Sequence, residues 1–244
     1  MRNLVLSLMA VCLSVLVNRP GVARDLFDPA RLEKQVVVAA CDDPMQLELC
    51  SDGRIVFIQR NGAVKLVRAQ SREVVTLGQV PVATFGEVGM LGLACDRDFV
   101  SNGHLYLFFC PQNEQATMRV SRFTVRDEKL DLTSEIKLFD YPIDVDGAIH
   151  MGGGMWMDGK GRLLIGTGDN CPPIPELPVD RRPGKKISDA MRTAANSRDL
   201  RGKVLRIQPQ SDGSYVIPSD NLFPDGKDGR PEIYAMGCRN PFRI

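Results

Sequence analysis

Short apolar runs separated by turn-forming residues dominate this 244-residue chain. The dipeptide Asp52-Gly53 precedes an apolar run at 54–58, and Asn61-Gly62 separates that run from a second one at 63–67. Because Asn and Gly tolerate the positive φ of tight turns, the two runs predict a β-hairpin.

Two similar units follow along the chain. Gly103 precedes an apolar run at 105–109, which is followed by a run of alternating apolar and polar residues at 118–125. Gly161 precedes a third pair of runs, at 162–166 and 203–207. A small sheet cannot bury both of its own faces, and a unit that recurs at about 50 residues is typical of propeller blades. A β-sandwich would show closer turns. The pattern therefore predicts an all-β fold of the propeller type.

The segment 171–201 interrupts this pattern. It is rich in proline and carries a basic run at 181–186, so we expect a surface loop, with one short helix within 187–201. Such basic runs are usually solvated and do not by themselves indicate an anion partner.

The N-terminal residues have the pattern of a secretory signal peptide. Arg2 precedes an apolar stretch at 4–17, and Gly21 and Ala23 provide the small residues expected before a cleavage site after Ala23. A bilayer span needs about 20 residues, so this stretch is too short to be one. We therefore predict a signal peptide at 1–23, a domain at 24–244 and a secreted or periplasmic location; an uncleaved anchor or a buried N-terminal element is the alternative.

Composition and charge exclude several classes of function. The chain is 43% hydrophobic and 25% charged, as expected of a soluble globular protein. With 31 Lys and Arg against 30 Asp and Glu, its charge disfavours a nucleic acid or an acidic lipid surface as partner. No glycine-rich fingerprint of nucleotide binding follows a strand.

Six cysteines remain after removal of the signal peptide, and an even number in an exported chain is consistent with disulfides. The pairs closest in sequence are Cys41 with Cys50 and Cys95 with Cys110, which leaves Cys171 and Cys238. Small buried thiols are an equally acceptable interpretation. No spacing indicates a zinc site.

One histidine stands in a setting that favours chemistry. His150 is followed by Met151 and three glycines, which let the backbone approach another strand or a ligand closely. Asp169 follows the next strand, and a carboxylate bonded to an imidazole fixes its tautomer and stabilises its charged form. We therefore predict that His150 and Asp169 form a base and its orienting acid. The other histidine, His104, lies in a turn, where a surface role is expected.

Several segments, taken in order, resemble the soluble sugar dehydrogenases that depend on pyrroloquinoline quinone (PQQ), the glucose/sorbosone dehydrogenase family. The resemblance covers about residues 45–244. The segments that carry it are 86–94, 96–99, 102–106, 150–153, 166–170, 200–207, 231–235 and 237–241.

The resemblance implies a six-bladed β-propeller that holds PQQ near its axis with Ca²⁺, oxidises a sugar and passes electrons to an external acceptor. It implies that His150 is the general base and that Asp169 orients it. Arg239 and Asn240 match residues that contact the quinone, and Glu87 falls in a loop on the cofactor side.

Two departures from the family pattern qualify these expectations. Ile149 stands where some members have an acidic residue, and the chain stops at Ile244, before the family's calcium ligands and further PQQ contacts. At about 50 residues per blade there is material for about four blades. We therefore expect a domain truncated at its C-terminus and inactive as it stands. A non-catalytic extracellular binding module is the alternative, and a calcium-dependent lactonase-type propeller is a weaker one.

Overall fold

The computed structural model describes residues 32–172 and 189–244. All strands of the described residues lie in one compact unit, Val38–Ile244. The predicted signal peptide at 1–23 and the basic run at 181–186 lie outside the described residues. Within the described ranges, no helix is long and apolar enough to span a bilayer.

Thirteen strands form three antiparallel sheets in the described residues. The first sheet contains β1 (Pro44–Leu49), β2 (Ile55–Gln59), β3 (Ala63–Val67) and β4 (Val74–Gln79). The second contains β5 (Met90–Cys95), β6 (His104–Phe109), β7 (Thr117–Arg126) and β8 (Lys129–Pro142). The third contains β9 (Gly152–Met157), β10 (Leu163–Thr167), β11 (Lys203–Pro209), β12 (Tyr215–Val216) and β13 (Ile233–Met236). Helical turns occur at α1 (Phe99–Asn102) and, as 3₁₀ helices, at Val145–Gly147 and Ala190–Arg192.

Strand order confirms the all-β, propeller-type prediction. The first two sheets run in sequence order, β1-β2-β3-β4 and β5-β6-β7-β8; the third runs β9-β10-β11-β12, with β13 also paired to β11. The described residues form three such sheets, whereas the length of the chain predicted about four blades. The difference arises because the third sheet has long connections, 168–202 between β10 and β11 and 217–232 between β12 and β13.

The repeated glycines of the sequence occupy equivalent turns. Gly53, Gly103 and Gly161 each lie within two residues of the second strand of a sheet, and each has a positive φ, of 84°, 68° and 76°. Each residue therefore ends the turn from the first strand of a sheet to its second, in a conformation that favours glycine. The periodicity seen in the sequence is the periodicity of the blades.

The second sheet is apolar on both faces because its neighbours cover both. Along β6, Leu105, Leu107 and Phe109 pack in a cluster with the first sheet, and Tyr106 and Phe108 pack in a cluster with the third. Successive side chains of a strand point to opposite faces, so one strand supplies both clusters. All five side chains are at most 2% exposed. This is the stacking of sheets that propeller blades require.

The first strands of the three sheets pack side by side. On β1, the Gln46 side chain joins all three: its Oε1 accepts hydrogen bonds from the backbone N–H groups of Leu93 (3.2 Å) and Met155 (3.3 Å), and its Nε2 donates to the Met155 carbonyl (2.7 Å). A Cβ at Gly92 would lie 2.4 Å from the carbonyl oxygen of Gly153, so β5 and β9 approach too closely for a side chain there. The loops that precede β5 and β9 are thereby brought together.

Both disulfide pairs expected from sequence proximity are wrong. Cys41 precedes β1 and Cys50 follows it, so the whole strand separates them. In the β5–β6 hairpin, Cys95 pairs with Leu105, whereas Cys110 follows Phe109 at the other end of the hairpin. At about 3.4 Å per residue, a strand of this length holds its ends roughly 17–20 Å apart, well beyond the reach of a disulfide. All six described cysteines are free thiols.

Candidate active site

His150 lies directly before β9, and its backbone is held from two sides. It is buried and has a φ of 53°, which is uncommon for a residue with a side chain. Its N–H donates to Oε2 of Glu87 (2.6 Å), and its carbonyl oxygen accepts from the N–H of Asn170 (3.2 Å). These two bonds fix the backbone from which the imidazole projects.

The imidazole contacts the carboxylate of Asp169, as the sequence predicted. Nδ1 of His150 lies 2.9 Å from Oδ1 of Asp169, and both side chains are nearly inaccessible, at 7% and 5% exposed. A carboxylate at neutral pH only accepts hydrogen bonds, so Nδ1 carries the proton in this pair. When the ring is neutral, its lone pair is therefore at Nε2, the arrangement that a general base requires.

Asp169 is itself positioned by backbone groups. Its Oδ1 also accepts from the N–H of Cys171 (2.9 Å), and its own N–H donates to the carbonyl of Arg239 (2.8 Å). The hydroxyl of Thr193, which is fully buried, donates to the carbonyl of Asp169 (2.8 Å). The carboxylate that contacts the histidine is thus fixed in both its side chain and its backbone.

Glycine permits the close approach of the two loops. A Cβ at Gly168 would lie only 1.6 Å from the carbonyl oxygen of His150, and one at Gly152 would lie 2.3 Å from that of Gly166. No side chain fits at either position without moving the backbone. The glycines that flank His150 and Asp169 in the sequence therefore serve to bring one chain segment against another.

Glu87 reaches the site from the loop before β5. Its N–H donates to the carbonyl of Ala148 (2.8 Å), and its carboxylate accepts from the backbone of His150. A Cβ at the preceding Gly86 would lie 2.5 Å from that same Ala148 carbonyl oxygen. The loop before β5 is thus packed against the segment that leads into β9. The Glu87 side chain contacts the main chain of His150, the predicted base.

Arg239 and Asn240 join the same cluster from the segment after β13. Oδ1 of Asn240 accepts from the N–H of Gly152 (2.8 Å), and the Arg239 carbonyl holds Asp169 as described. The Arg239 side chain is exposed, and no acceptor for its guanidinium occurs within residues 32–172 or 189–244. The five residues selected from the sequence therefore lie together, and Arg239 offers uncommitted donors at the edge of the site.

Sequence reasoning missed the residues that support the site from beneath. Lys203 on β11 is fully buried, and its ammonium donates to the carbonyls of Thr193, Ala194 and Arg201 at 2.7–3.0 Å. Burial lowers the pKa of Lys203 to about 8. The lysine holds the segment that carries Thr193, and hence Asp169. The only trace of this role in the sequence is the charged residue that opens β11.

The described residues contain no group of three or more His, Cys, Asp or Glu side chains that could hold a metal ion. Any metal bound by these residues would need a different donor set, such as backbone carbonyls.

Comparison with known proteins identifies the family. The model of the glucose/sorbosone dehydrogenase family matches residues 41–244. The chain belongs to this family. The aldose sugar dehydrogenase YliI of Escherichia coli K12 is 27% identical to it over 217 residues, which covers 87% of this chain and 53% of that protein.

Solved structures show the same fold. A glucose dehydrogenase-type oxidoreductase from Thermus thermophilus superposes with a TM-score of 0.67 at 25% identity, covering 84% of this chain and 55% of that one. The PQQ-bound aldose sugar dehydrogenase from Streptomyces coelicolor superposes with a TM-score of 0.63 at 24% identity, covering 84% and 54%. The chain spans about half the length of the relatives it matches.

Proposed function

We propose that this chain is the part of a sugar dehydrogenase that supplies the general base and one side of a PQQ site. The observation that carries the proposal is the buried His150–Asp169 pair, whose geometry puts the proton of a neutral imidazole on Nδ1 and its lone pair on Nε2. Family membership makes sugar oxidation the reaction that such a base would serve.

In this proposal, Nε2 of His150 removes the proton from the hydroxyl at the carbon that is oxidised, the anomeric or an alcohol carbon of an aldose. The imidazolium that results is stabilised by Asp169 through the bond to Nδ1. Glu87 and Asn170 hold the histidine backbone, so the ring does not have to reorganise when the proton arrives. Positioned bases of this kind contribute about 10²–10⁴-fold to a rate.

The described residues fit PQQ in one respect. PQQ carries carboxylates and an ortho-quinone, and a guanidinium is suited to donate to both kinds of oxygen. Arg239 is exposed beside the His150–Asp169 pair with no acceptor in the described chain, and Asn240 neighbours it. Glu87 lies on the same side. When bound, PQQ would supply the acceptor for the hydride that leaves the sugar carbon.

Three further features belong to the proposal. A Ca²⁺ ion accompanies PQQ, with ligands that we do not assign to residues of this chain. An external acceptor reoxidises the cofactor. The protein acts after export, in the periplasm or outside the cell, as the signal-peptide pattern at 1–23 indicates.

Binding and turnover test the proposal separately. PQQ should bind the purified chain in the presence of Ca²⁺, and Arg239→Leu should weaken that binding by about 10–100-fold, the loss expected for a charge-assisted hydrogen bond. The matched control is Arg97→Leu, because Arg97 is also exposed but lies beyond the opposite end of β5. Equal affinity in the wild-type chain and both variants would remove Arg239 from the cofactor site.

Aldose-dependent dye reduction tests the base. His150→Ala should lower the rate by about 10²–10⁴-fold, whereas replacing the other histidine, His104→Ala, should leave it unchanged. An undiminished rate in His150→Ala would show that another group removes the proton. PQQ binding without turnover in the wild-type chain would favour the binding-module alternative or the inactive state expected from the sequence.

A further inference from the structure

Two thiols meet at the end of the first strands that lies away from His150. Cys50 directly follows β1 and Cys95 is the last residue of β5, and their Sγ atoms are 4.0 Å apart. His150 and Glu87 precede β9 and β5, so the thiol pair and the candidate active site occupy opposite ends of the same set of strands. The two cysteines belong to different sheets.

The thiol pair lines a pocket of about 290 Å³. Charged and polar groups surround the pocket, among them Glu48, Arg97 and Asp158. Cys50 is buried, whereas Cys95 is partly exposed. The pocket is large enough for a small disulfide reagent to approach the sulfurs, which a closed core would prevent.

The two sulfurs are chemically unequal. With the Cys95 thiol as donor, the contact between the sulfurs lowers the pKa of Cys50, and the same contact together with burial raises the pKa of Cys95. The thiolate is the attacking form in disulfide exchange. Cys50 is therefore the nucleophile of the pair, and Cys95 is the thiol that completes the exchange.

We propose that Cys50 and Cys95 form a reversible disulfide that ties the first sheet to the second. The geometry carries the proposal: the two sulfurs belong to different sheets and lie 4.0 Å apart, so forming a bond of about 2 Å requires them to approach by only about 2 Å. The proposal is independent of the proposed function.

The reaction balances with a small-molecule disulfide, such as oxidised glutathione, as oxidant. The Cys50 thiolate attacks one sulfur of the reagent and forms a mixed disulfide, and one thiolate leaves. Cys95 then loses its proton and attacks the Cys50 sulfur, which releases the second thiolate of the reagent. Two protein thiols are oxidised, one reagent disulfide is reduced to two thiols, and the protons of Cys50 and Cys95 pass to those two thiols.

Cys110 provides the matched control. Its sulfur is fully buried and contacts the backbone carbonyls of Pro111, Glu114 and Gln115 at 3.5–3.9 Å. Burial raises the pKa of its thiol to about 11. No other cysteine of the described residues makes a sulfur contact with it, so it should stay reduced under conditions that oxidise the other pair.

Peptide mapping of the whole chain tests the proposal. The protein is equilibrated in glutathione buffers of increasing oxidised fraction, free thiols are alkylated, and the digest is analysed without reduction. Trypsin leaves Cys41 and Cys50 on one peptide, 35–54, so a second cleavage before Asp42 is needed to tell them apart. We expect a cross-linked peptide that joins Cys50 to Cys95, with Cys110 alkylated throughout.

Variants exclude accidental oxidation. Cys50→Ser and Cys95→Ser should each abolish the cross-link, and Cys110→Ser should retain it. Full alkylation of both Cys50 and Cys95 in wild-type protein at every glutathione ratio would overturn the proposal, as would a cross-link from either of them to another cysteine. Because the decisive measurement uses wild-type protein, a variant that fails to fold does not weaken the test.

Discussion

The two ends of the first strands β1, β5 and β9 are built differently. At the start of β5 and β9, the His150–Asp169 pair is held by hydrogen bonds to side chains and backbone from four chain segments. At the far end, Cys50 and Cys95 line a pocket, and their sulfurs lie 4.0 Å from each other. One end fixes a single geometry, whereas the other leaves room for a covalent change.

The same strands therefore hold a fixed pair of side chains at one end and a pair that can rearrange at the other. A base works when its tautomer and direction are set before the substrate arrives, so a dense network of bonds serves it. A thiol pair needs access for a reagent and freedom to rotate. Gln46 joins β1, β5 and β9 midway between the two ends of these strands.

The largest effect is expected from changing the acid of the fixed end. Asp169→Asn keeps the size of the side chain but replaces the carboxylate that accepts from Nδ1. The amide can donate to Nδ1 and so favours the opposite tautomer, with the proton on Nε2. We expect aldose oxidation to fall by about 10²–10⁴-fold while PQQ affinity stays within a few-fold; a nearly normal rate would show that the pair does not set the tautomer.

The close approach at the fixed end predicts a large loss of stability. Gly168→Ala would place a Cβ 1.6 Å from the carbonyl oxygen of His150, so we expect a loss of about 3–5 kcal/mol in the free energy of unfolding, measured with denaturant. Gly159→Ala is the matched control, because nothing lies within 4 Å of its Cβ. Similar effects of the two substitutions would mean that the two loops can separate freely.

Closing the disulfide should stabilise the adjustable end. The 45-residue separation of Cys50 and Cys95 predicts a gain of about 3–4 kcal/mol from restricting the unfolded chain. Oxidised wild-type protein should therefore melt at a higher temperature than reduced protein, and Cys50→Ser should show no such difference. An unchanged melting temperature on verified oxidation would mean that the bond strains the native sheets.

A smaller, pH-dependent effect is expected from Glu48 beside the thiols. Burial raises the pKa of Glu48 to about 7, against a partial opposing hydrogen bond from Gln46. The Glu48 carboxyl loses its proton near pH 4.5 in the unfolded chain but only near pH 7 in the folded chain. The free energy of unfolding therefore falls as the pH rises through that interval, and the loss is complete above it. Because Glu48 is only half-buried, we expect Glu48→Gln to stabilise the protein by about 1–2 kcal/mol at pH 8 and hardly at pH 4. Equal effects at both pH values would contradict this assignment.

The sequence predicted the second and third strands of the sheets well, because they alternate or carry β-branched residues between glycine turns. It did not predict β5 or β9, which carry the site. Their sequences, MLGLAC and GGGMWM, contain glycines where the strands pack closely, and glycine is a poor strand former. Thr193 and Lys203 were missed for a different reason: their role depends on hydrogen bonds to backbone carbonyls, which only the folded structure shows.

The cysteines show the limit of proximity in sequence. Cysteines that flank one strand, or that lie at opposite ends of one hairpin, are close in sequence but far apart in space. The pairs closest in the chain were therefore the wrong ones. By contrast, His150 and Asp169 could be paired from the sequence, because each stands at a glycine-rich strand boundary and both boundaries fall at the same end of the β9–β10 hairpin.

The tautomer of His150 tests the central claim most directly. The chain has only two histidines, so long-range ¹⁵N–¹H NMR spectra of the labelled protein contain two imidazoles, and His104→Ala assigns them. At neutral pH, His150 should show a protonated Nδ1 and an unprotonated Nε2, and Asp169→Asn should remove that preference. A proton on Nε2 in the wild-type protein, or rapid exchange between both tautomers, would contradict the account.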